Sequence, residues 1–154
     1  MADRLGAPYI ELDALFHGPG WVPRASFVED VRAATSGPTW VVDGNYEPVR
    51  DLLWERADTV VWLDLPRTTT AWRAMVRTAK RLLSRAELWN GNRERLSTLL
   101  RASHPIRWTW QTHASHRVGY EARLVDPRWQ HLSFFRLRTA DEVRAWLQRS
   151  LPMA

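Results

Sequence analysis

The chain contains no cysteine among its 154 residues. Disulfides and thiolate metal sites are therefore excluded, and a reducing, cytoplasmic setting is compatible with the sequence. Lysine is nearly missing as well: Lys80 is the single one, against 21 arginines. No apolar run approaches the roughly 20 residues needed to span a bilayer, no signal-peptide pattern is visible, and no membrane partner is expected. Repeats, low-complexity tracts and linkers are absent too. Residues 1–154 thus read as one domain, long enough to bury a core.

What is present is more specific. The formal charge of +5 comes from arginine. Arginine forks carboxylates and phosphates bidentately, which favours a polyanionic partner, although arginine-biased codon usage accounts for the same excess. Ten tryptophans are unusual for this length. Trp40, Trp62, Trp72 and Trp146 fall on strands or apolar stripes and read as core. Trp21, Trp89, Trp108 and Trp110 read instead as pocket candidates.

Three short runs rich in β-branched and aromatic residues end on an aspartate: Tyr9 to Asp13, Thr39 to Asp43 and Thr59 to Asp64. A fourth strand is expected near 130–136. Between them lie helical patterns. Ser26 and Glu29 form a capping-box sequence for a helix to about Ser36. Pro48 opens a short helix. After Pro66, the residues Trp72, Met75, Val76, Ala79, Leu82 and Leu83 make a continuous apolar stripe. Residues 86–94 read as a loop, 95–118 as helix interrupted near Pro105, and Thr139 with Glu142 opens a last helix. This β-α-β-α-β-α-α-β-α order predicts an α/β fold with a parallel sheet flanked by helices.

In open α/β sheets the ligand sits beyond the carboxyl ends of the strands, where the aspartates arrive. Asp43 with Gly44 could hold Mg²⁺ directly or through water while the glycine admits a phosphate; taken alone, the pair reads first as a capped turn, since Asp-Gly is common in turns for local reasons. Asp13 could serve as general base to an acceptor hydroxyl, or cap the following loop. Arg73, Arg77 and Arg81 recur every four residues beside Lys80. That spacing repels unless an anion sits among them, and a solvated face is the alternative. His17, near Asp13, could touch substrate. His104, His113 and His116 lack a carboxylate to complete a metal triad, so no site is expected there.

Taken in order, Ile10-Glu-Leu-Asp-Ala-Leu-Phe-His17 with Pro19-Gly20-Trp21, Trp40-Val-Val-Asp-Gly-Asn-Tyr46, and Val61-Trp-Leu-Asp-Leu-Pro-Arg67 resemble the P-loop nucleoside and nucleotide kinases. The set is similar to the adenylate-kinase-related group often labelled DNA topology modulation proteins. The resemblance continues through the arginine-rich helix to Leu137-Arg-Thr139. It implies an ATP-dependent phosphotransferase acting on a nucleotide or small-molecule acceptor, with ATP and Mg²⁺ as cofactors. Asp43 would organise the metal, and Gly44, Arg138 and Thr139 would join it in nucleotide binding. Arg73 and Arg77 would stabilise the transferring phosphoryl group. Asp13 would face the acceptor, with His17, Trp21, Asn45 and Tyr46 around the substrate.

The chain departs from that family at one point. The phosphate-cradling G-x-x-x-x-G-K-[ST] loop has no counterpart here, since Lys80 lies inside a helix. Met1 to Gly6 corresponds to the end of the helix that should follow the loop. The expected fold is therefore adenylate-kinase-like with its central first strand missing from the order 2-3-1-4-5, and little or no catalysis by the 154 residues alone. The rival readings are a basic nucleic-acid-binding protein, whose affinity would fall steeply with salt, and a catalytically dead kinase-fold scaffold.

Overall fold

In a computed structural model, residues 1–84, 86–94 and 105–150 are described, the side chains of 105–113 excepted. The expected helix over 95–104, His104, and the side chains of Trp108, Trp110 and His113 lie outside the described residues. The chain divides into two compact units. The first comprises Met1–Asp58, Trp89–Gly91 and the residues from Ala140 on, and the second Thr59–Leu88 and Asn92–Thr139.

In the first unit, α1 (Ala2–Leu5) ends on Gly6 in the left-handed conformation and leads to β1 (Tyr9–Glu11). The strand turns directly into α2 (Leu12–Phe16), so Asp13 sits in a helical first turn rather than at a strand end. Then come α3 (Phe27–Ala34), β2 (Val41–Asp43), α4 (Glu47–Trp54) and, from the far end of the chain, α7 (Ala140–Ser150). β1 and β2 are parallel, with Tyr9 opposite Val41, Ile10 opposite Val42 and Glu11 opposite Asp43. Ile10 and Val41 from the strands, Leu12, Phe27 and Val31 from α2 and α3, and Val49, Leu53 and Trp54 from α4 are buried. Trp146 on α7 is buried as expected.

The capping box does not form. Ser26 makes no side-chain cap; its Oγ donates instead to Asp30 Oδ2 at 2.9 Å. Asp30 also pairs with Arg24 at 2.8 Å; with the Ser26 hydroxyl turned to this carboxylate, its oxygen accepts no bond from the helix N–H groups.

The second unit holds β3 (Thr59–Leu63), α5 (Arg67–Ser84), α6 (Pro105–Leu124) and β4 (Ser133–Leu137). β3 and β4 are parallel, in register from Thr59 opposite Ser133 to Leu63 opposite Leu137. The architecture is thus α/β with parallel strands and flanking helices, as expected. Among the described residues the strands form two pairs, β1-β2 and β3-β4, and not one continuous sheet.

The apolar stripe of α5 is not core. Trp72 is 63% exposed, Met75 46% and Leu83 87%, while the buried residues are Ala74 and Thr78. Small side chains at an i, i+4 spacing let α5 lie closely on α6, against which it packs. Hydrophobic periodicity located an amphipathic helix but not the face that the tertiary structure would bury.

Candidate functional site

In the first unit, the carboxyl edge of the β1-β2 pair gathers Glu11, Asp13 and Asp43. Each is held by a neutral donor. The Tyr46 hydroxyl donates to Asp13 Oδ1 at 2.5 Å. The Tyr9 hydroxyl donates to Asp43 Oδ2 at 2.9 Å, and Trp89 Nε1 donates to Glu11 Oε2 at 2.8 Å. No ion pair to these three carboxylates occurs among the described residues. Burial, the Asp13 hydrogen bond and the Asp13 charge all push the Tyr46 phenol well above its ordinary range. Tyr9 is pushed up to about 12, first by burial and then by Asp43. Both hydroxyls therefore stay protonated donors, which fixes the direction of the two hydrogen bonds.

Aromatic rings wall the Asp13 end. Phe16 lies 4.5 Å from the Tyr46 ring and 5.1 Å from Phe27, centroid to centroid. His17 meets Trp21 edge-on at 5.2 Å, and it stacks at 6.2 Å on Trp89. His17 Nδ1 is buried with no hydrogen-bond partner. Burial lowers the imidazole pKa despite the opposing pull of Asp13, so the ring favours its neutral form.

Two tight turns deliver these groups. His17 bridges Pro23 across the Gly18–Val22 turn, and Glu87 bridges Arg93 across the Leu88–Asn92 turn. In the first, Gly18 N–H donates to Val22 O at 2.8 Å. In the second, Leu88 N–H donates to Asn92 O at 2.7 Å. Trp21 has φ 64° and Asn90 φ 56°. A tryptophan in the left-handed region is strained, and its ring contacts with His17 and Trp89 hold it there. Asn90 Nδ2 donates to His17 O at 2.5 Å, tying the Trp89–Gly91 turn to α2.

The expected residues distribute as follows. Asp13 and Tyr46 are brought together, but Tyr46 orients the carboxylate rather than standing free for substrate. His17 and Trp21 adjoin them. Asn45 Oδ1 accepts from Arg50 Nε at 3.2 Å. Asp43 is exposed at the end of β2. Gly44 has φ 135°, and a Cβ there would lie 2.7 Å from Leu12 Cβ. Its lack of a side chain is therefore required both by the positive φ and by the closeness of Leu12. Arg73 and Arg77 are exposed on α5 in the second unit.

Asp64, the third strand-end aspartate, is spent structurally. Its side chain is 4% exposed, and its Oδ2 lies 2.6 Å from Arg136 Nη2, 3.6 Å from Arg117 Nη2 and 3.8 Å from Arg138 Nε. Arg136 also bonds Glu121 at 2.8 Å and covers the Trp62 ring at 4.2 Å, while Trp62 stacks on Tyr120 at 5.1 Å. Of the two residues expected at the nucleotide after β4, Arg138 thus leans on Asp64, and Thr139 is exposed just before α7.

Sequence reasoning passed over Tyr9, Glu11 and Asn90. Tyr9 could be assigned to Asp43 only with the β1-β2 register in hand. Asn90-Gly91 was legible as a turn, but not as a turn that docks on α2.

Among the described residues, no group of three His, Asp or Glu side chains is arranged to hold a metal, and no helix is long and apolar enough to cross a membrane. No protein-family model, curated protein or solved structure matches the chain. Fold and site together define an α/β protein of short parallel strands with an oriented, unpaired carboxylate at a strand–helix junction.

Proposed function

We propose that the chain carries the acceptor-activating and phosphoryl-binding residues of a kinase-like, ATP-dependent phosphotransferase. The observation that carries the proposal is Asp13. It sits immediately beyond β1, is aimed by the Tyr46 hydroxyl at 2.5 Å, and has no neutralising cation among the described residues. A carboxylate so held accepts the proton of an acceptor hydroxyl as that oxygen attacks a phosphoryl group. Tyr46 is then a positioning residue, and His17 and Trp21 flank the acceptor.

By the resemblance, Arg73 and Arg77 of the second unit would meet the charge of the transferring group, and Arg138 and Thr139 would take the nucleotide. Asp43 is the residue to hold Mg²⁺. Mg²⁺ keeps most of its waters and takes one or two carboxylates plus substrate phosphates, so an exposed single carboxylate fits the ion. Bound there, it would neutralise phosphate charge. The strand pairing also supports the reading. Removing the first strand from the order 2-3-1-4-5 leaves the pairs 2-3 and 4-5, which correspond to β1-β2 and β3-β4. The reading requires a phosphate-cradling loop from outside these 154 residues.

The test begins with the coding sequence upstream of the Met1 codon. It should encode an apolar strand followed by G-x-x-x-x-G-K-[ST]. Protein made with that segment should transfer phosphate from ATP to a hydroxyl acceptor, and Asp13→Asn should cost at least about 100-fold in kcat. A stop codon or unrelated upstream sequence, or Mg²⁺-dependent ATP turnover by the 154 residues alone, overturns the proposal.

A further inference from the structure

Helix α5 departs from the rest of the chain in charge and in exposure. Over Arg67–Ser84 it carries Arg67, Arg73, Arg77, Lys80 and Arg81 and no acidic residue. At about 100° per residue, Met75, Ala79, Trp72, Leu83 and Val76 fall within an arc of about 100°. Lys80, Arg73 and Arg77 fill the next 60° or so. The buried residues Ala74 and Thr78 lie on the opposite side. Both arcs therefore face outward: one apolar, with Trp72 and Leu83 largely exposed, the other cationic.

Where the arcs meet there is a shallow concavity of about 410 Å³, lined by Trp72, Arg73, Val76, Arg77, Lys80 and Arg81. Its chemistry is an indole and an aliphatic floor rimmed by Arg73, Arg77 and Lys80, with Arg81 at the edge paired to Glu94 at 3.3 Å.

We propose that this face of α5 docks on an anionic phospholipid surface, the helix lying in the plane of the interface. The cationic concavity takes headgroup phosphates, and Trp72, Met75 and Leu83 enter the acyl boundary. A basic amphipathic helix with an exposed apolar side has this preference. Charge complementarity selects the occupant. A second copy of the same face would bring cations against cations. A nucleic acid would satisfy the arginines but leave Met75 and Leu83 without an apolar partner. A bilayer interface answers both arcs at once, and indole rings favour that depth. This docking does not rest on the phosphotransfer reading, although Arg73 and Arg77 figure in both.

The experiment is co-sedimentation of the purified chain with phosphatidylcholine vesicles, with and without 30 mol% (about a third) phosphatidylglycerol, alongside a single-stranded oligothymidylate. Lys80→Glu and the double variant Met75→Ser/Leu83→Ser probe the two arcs without touching Asp13, Arg73 or Arg77. Both variants alter exposed positions, and an unchanged melting curve certifies their fold. Binding to anionic vesicles is expected at least about tenfold tighter than to neutral ones. Lys80→Glu should weaken it by about fivefold or more, and the apolar double variant by about tenfold or more. Oligothymidylate binding should be unmoved by the double variant. Failure to sediment with anionic vesicles overturns the proposal, as does vesicle binding indifferent to Met75→Ser/Leu83→Ser. Oligonucleotide binding without vesicle binding also overturns it, and assigns the face to nucleic acid. Because phosphotransfer is read out on Asp13, neither result bears on that proposal.

Discussion

Asp13 and Asp64 both follow a short parallel strand, and in the sequence they look alike. Their surroundings make them different groups. Asp13 receives one neutral hydroxyl, from Tyr46 at 2.5 Å, and has no cation beside it among the described residues. Asp64 is 4% exposed and lies within 4 Å of three guanidinium groups. A carboxylate aimed by a phenol keeps a lone pair for a substrate proton. A carboxylate whose Oδ2 meets three guanidinium groups is a weak proton acceptor, and ties β3, β4 and α6 together. The contrast is sharper because the chain has arginine in excess, and among the described residues none pairs with Asp13.

The largest expected effect tests the structural member of the pair. Asp64→Asn removes the buried carboxylate that Arg136, Arg117 and Arg138 share and leaves Arg136 and Arg117 with Glu121. The Arg117 and Arg138 side chains are 46% and 58% exposed, so solvent screens much of the loss, and the cost is about 2 kcal/mol, a drop of roughly 4–8 °C in Tm. A thermal melt within a degree or two of wild type would dissolve the distinction between the two aspartates.

Tyr46→Phe should have a smaller effect on stability and a larger one on chemistry. Loss of a charge-assisted hydrogen bond costs about 1–2 kcal/mol, readable by urea unfolding, with the exposed Asp43 and its Tyr9 bond unaffected. In protein that transfers phosphate, the same change should lower kcat with little change in KM, because the general base loses its aim rather than its substrate. A rise in KM alone would place Tyr46 in ordinary substrate contact.

The smallest effect is the dependence on pH, and it concerns two groups near Asp13 and Asp43, both in the first unit. Burial holds the folded-state pKa of His17 below 6.5, so its contribution is present above pH 6.5 and is lost as pH falls through the folded value. Tyr9 works at the other limit: with its pKa raised from 10.0 to about 12, its contribution is complete below pH 10 and fades as pH rises towards 12. Wild-type protein should therefore lose stability on acidification below about pH 6.5, and His17→Leu should flatten that acid limb. An acid limb that is the same in His17→Leu would remove His17 from the account.

Much of this was legible beforehand, and for a plain reason. Strand and helix patterns depend on local periodicity, so all four strands and the helices after Ser26, Pro48, Pro66 and Thr139 lie within a few residues of their expected places. Asp13, His17 and Trp21 also sit close together in the chain, and nearby residues meet whatever the packing. The misjudged features are those that depend on what lies across space. Ser26 was expected to cap α3, but Asp30 and Arg24 draw its hydroxyl away. The closeness of Leu12 to Gly44 was likewise out of reach of local pattern, since it depends on how α2 packs beside the end of β2.

The sequence alone therefore determined the α/β order, the parallel sense of the strands, and the placing of carboxylates near strand ends, since each follows from spacing along the chain. Tertiary structure decided which carboxylate stays unpaired, because the partners of Asp13 and Asp64 come from residues 33 and 72 positions away. It likewise decided which face of α5 is buried. A helix carries both an apolar stripe and a row of small residues, and only the surface packed against it selects between them.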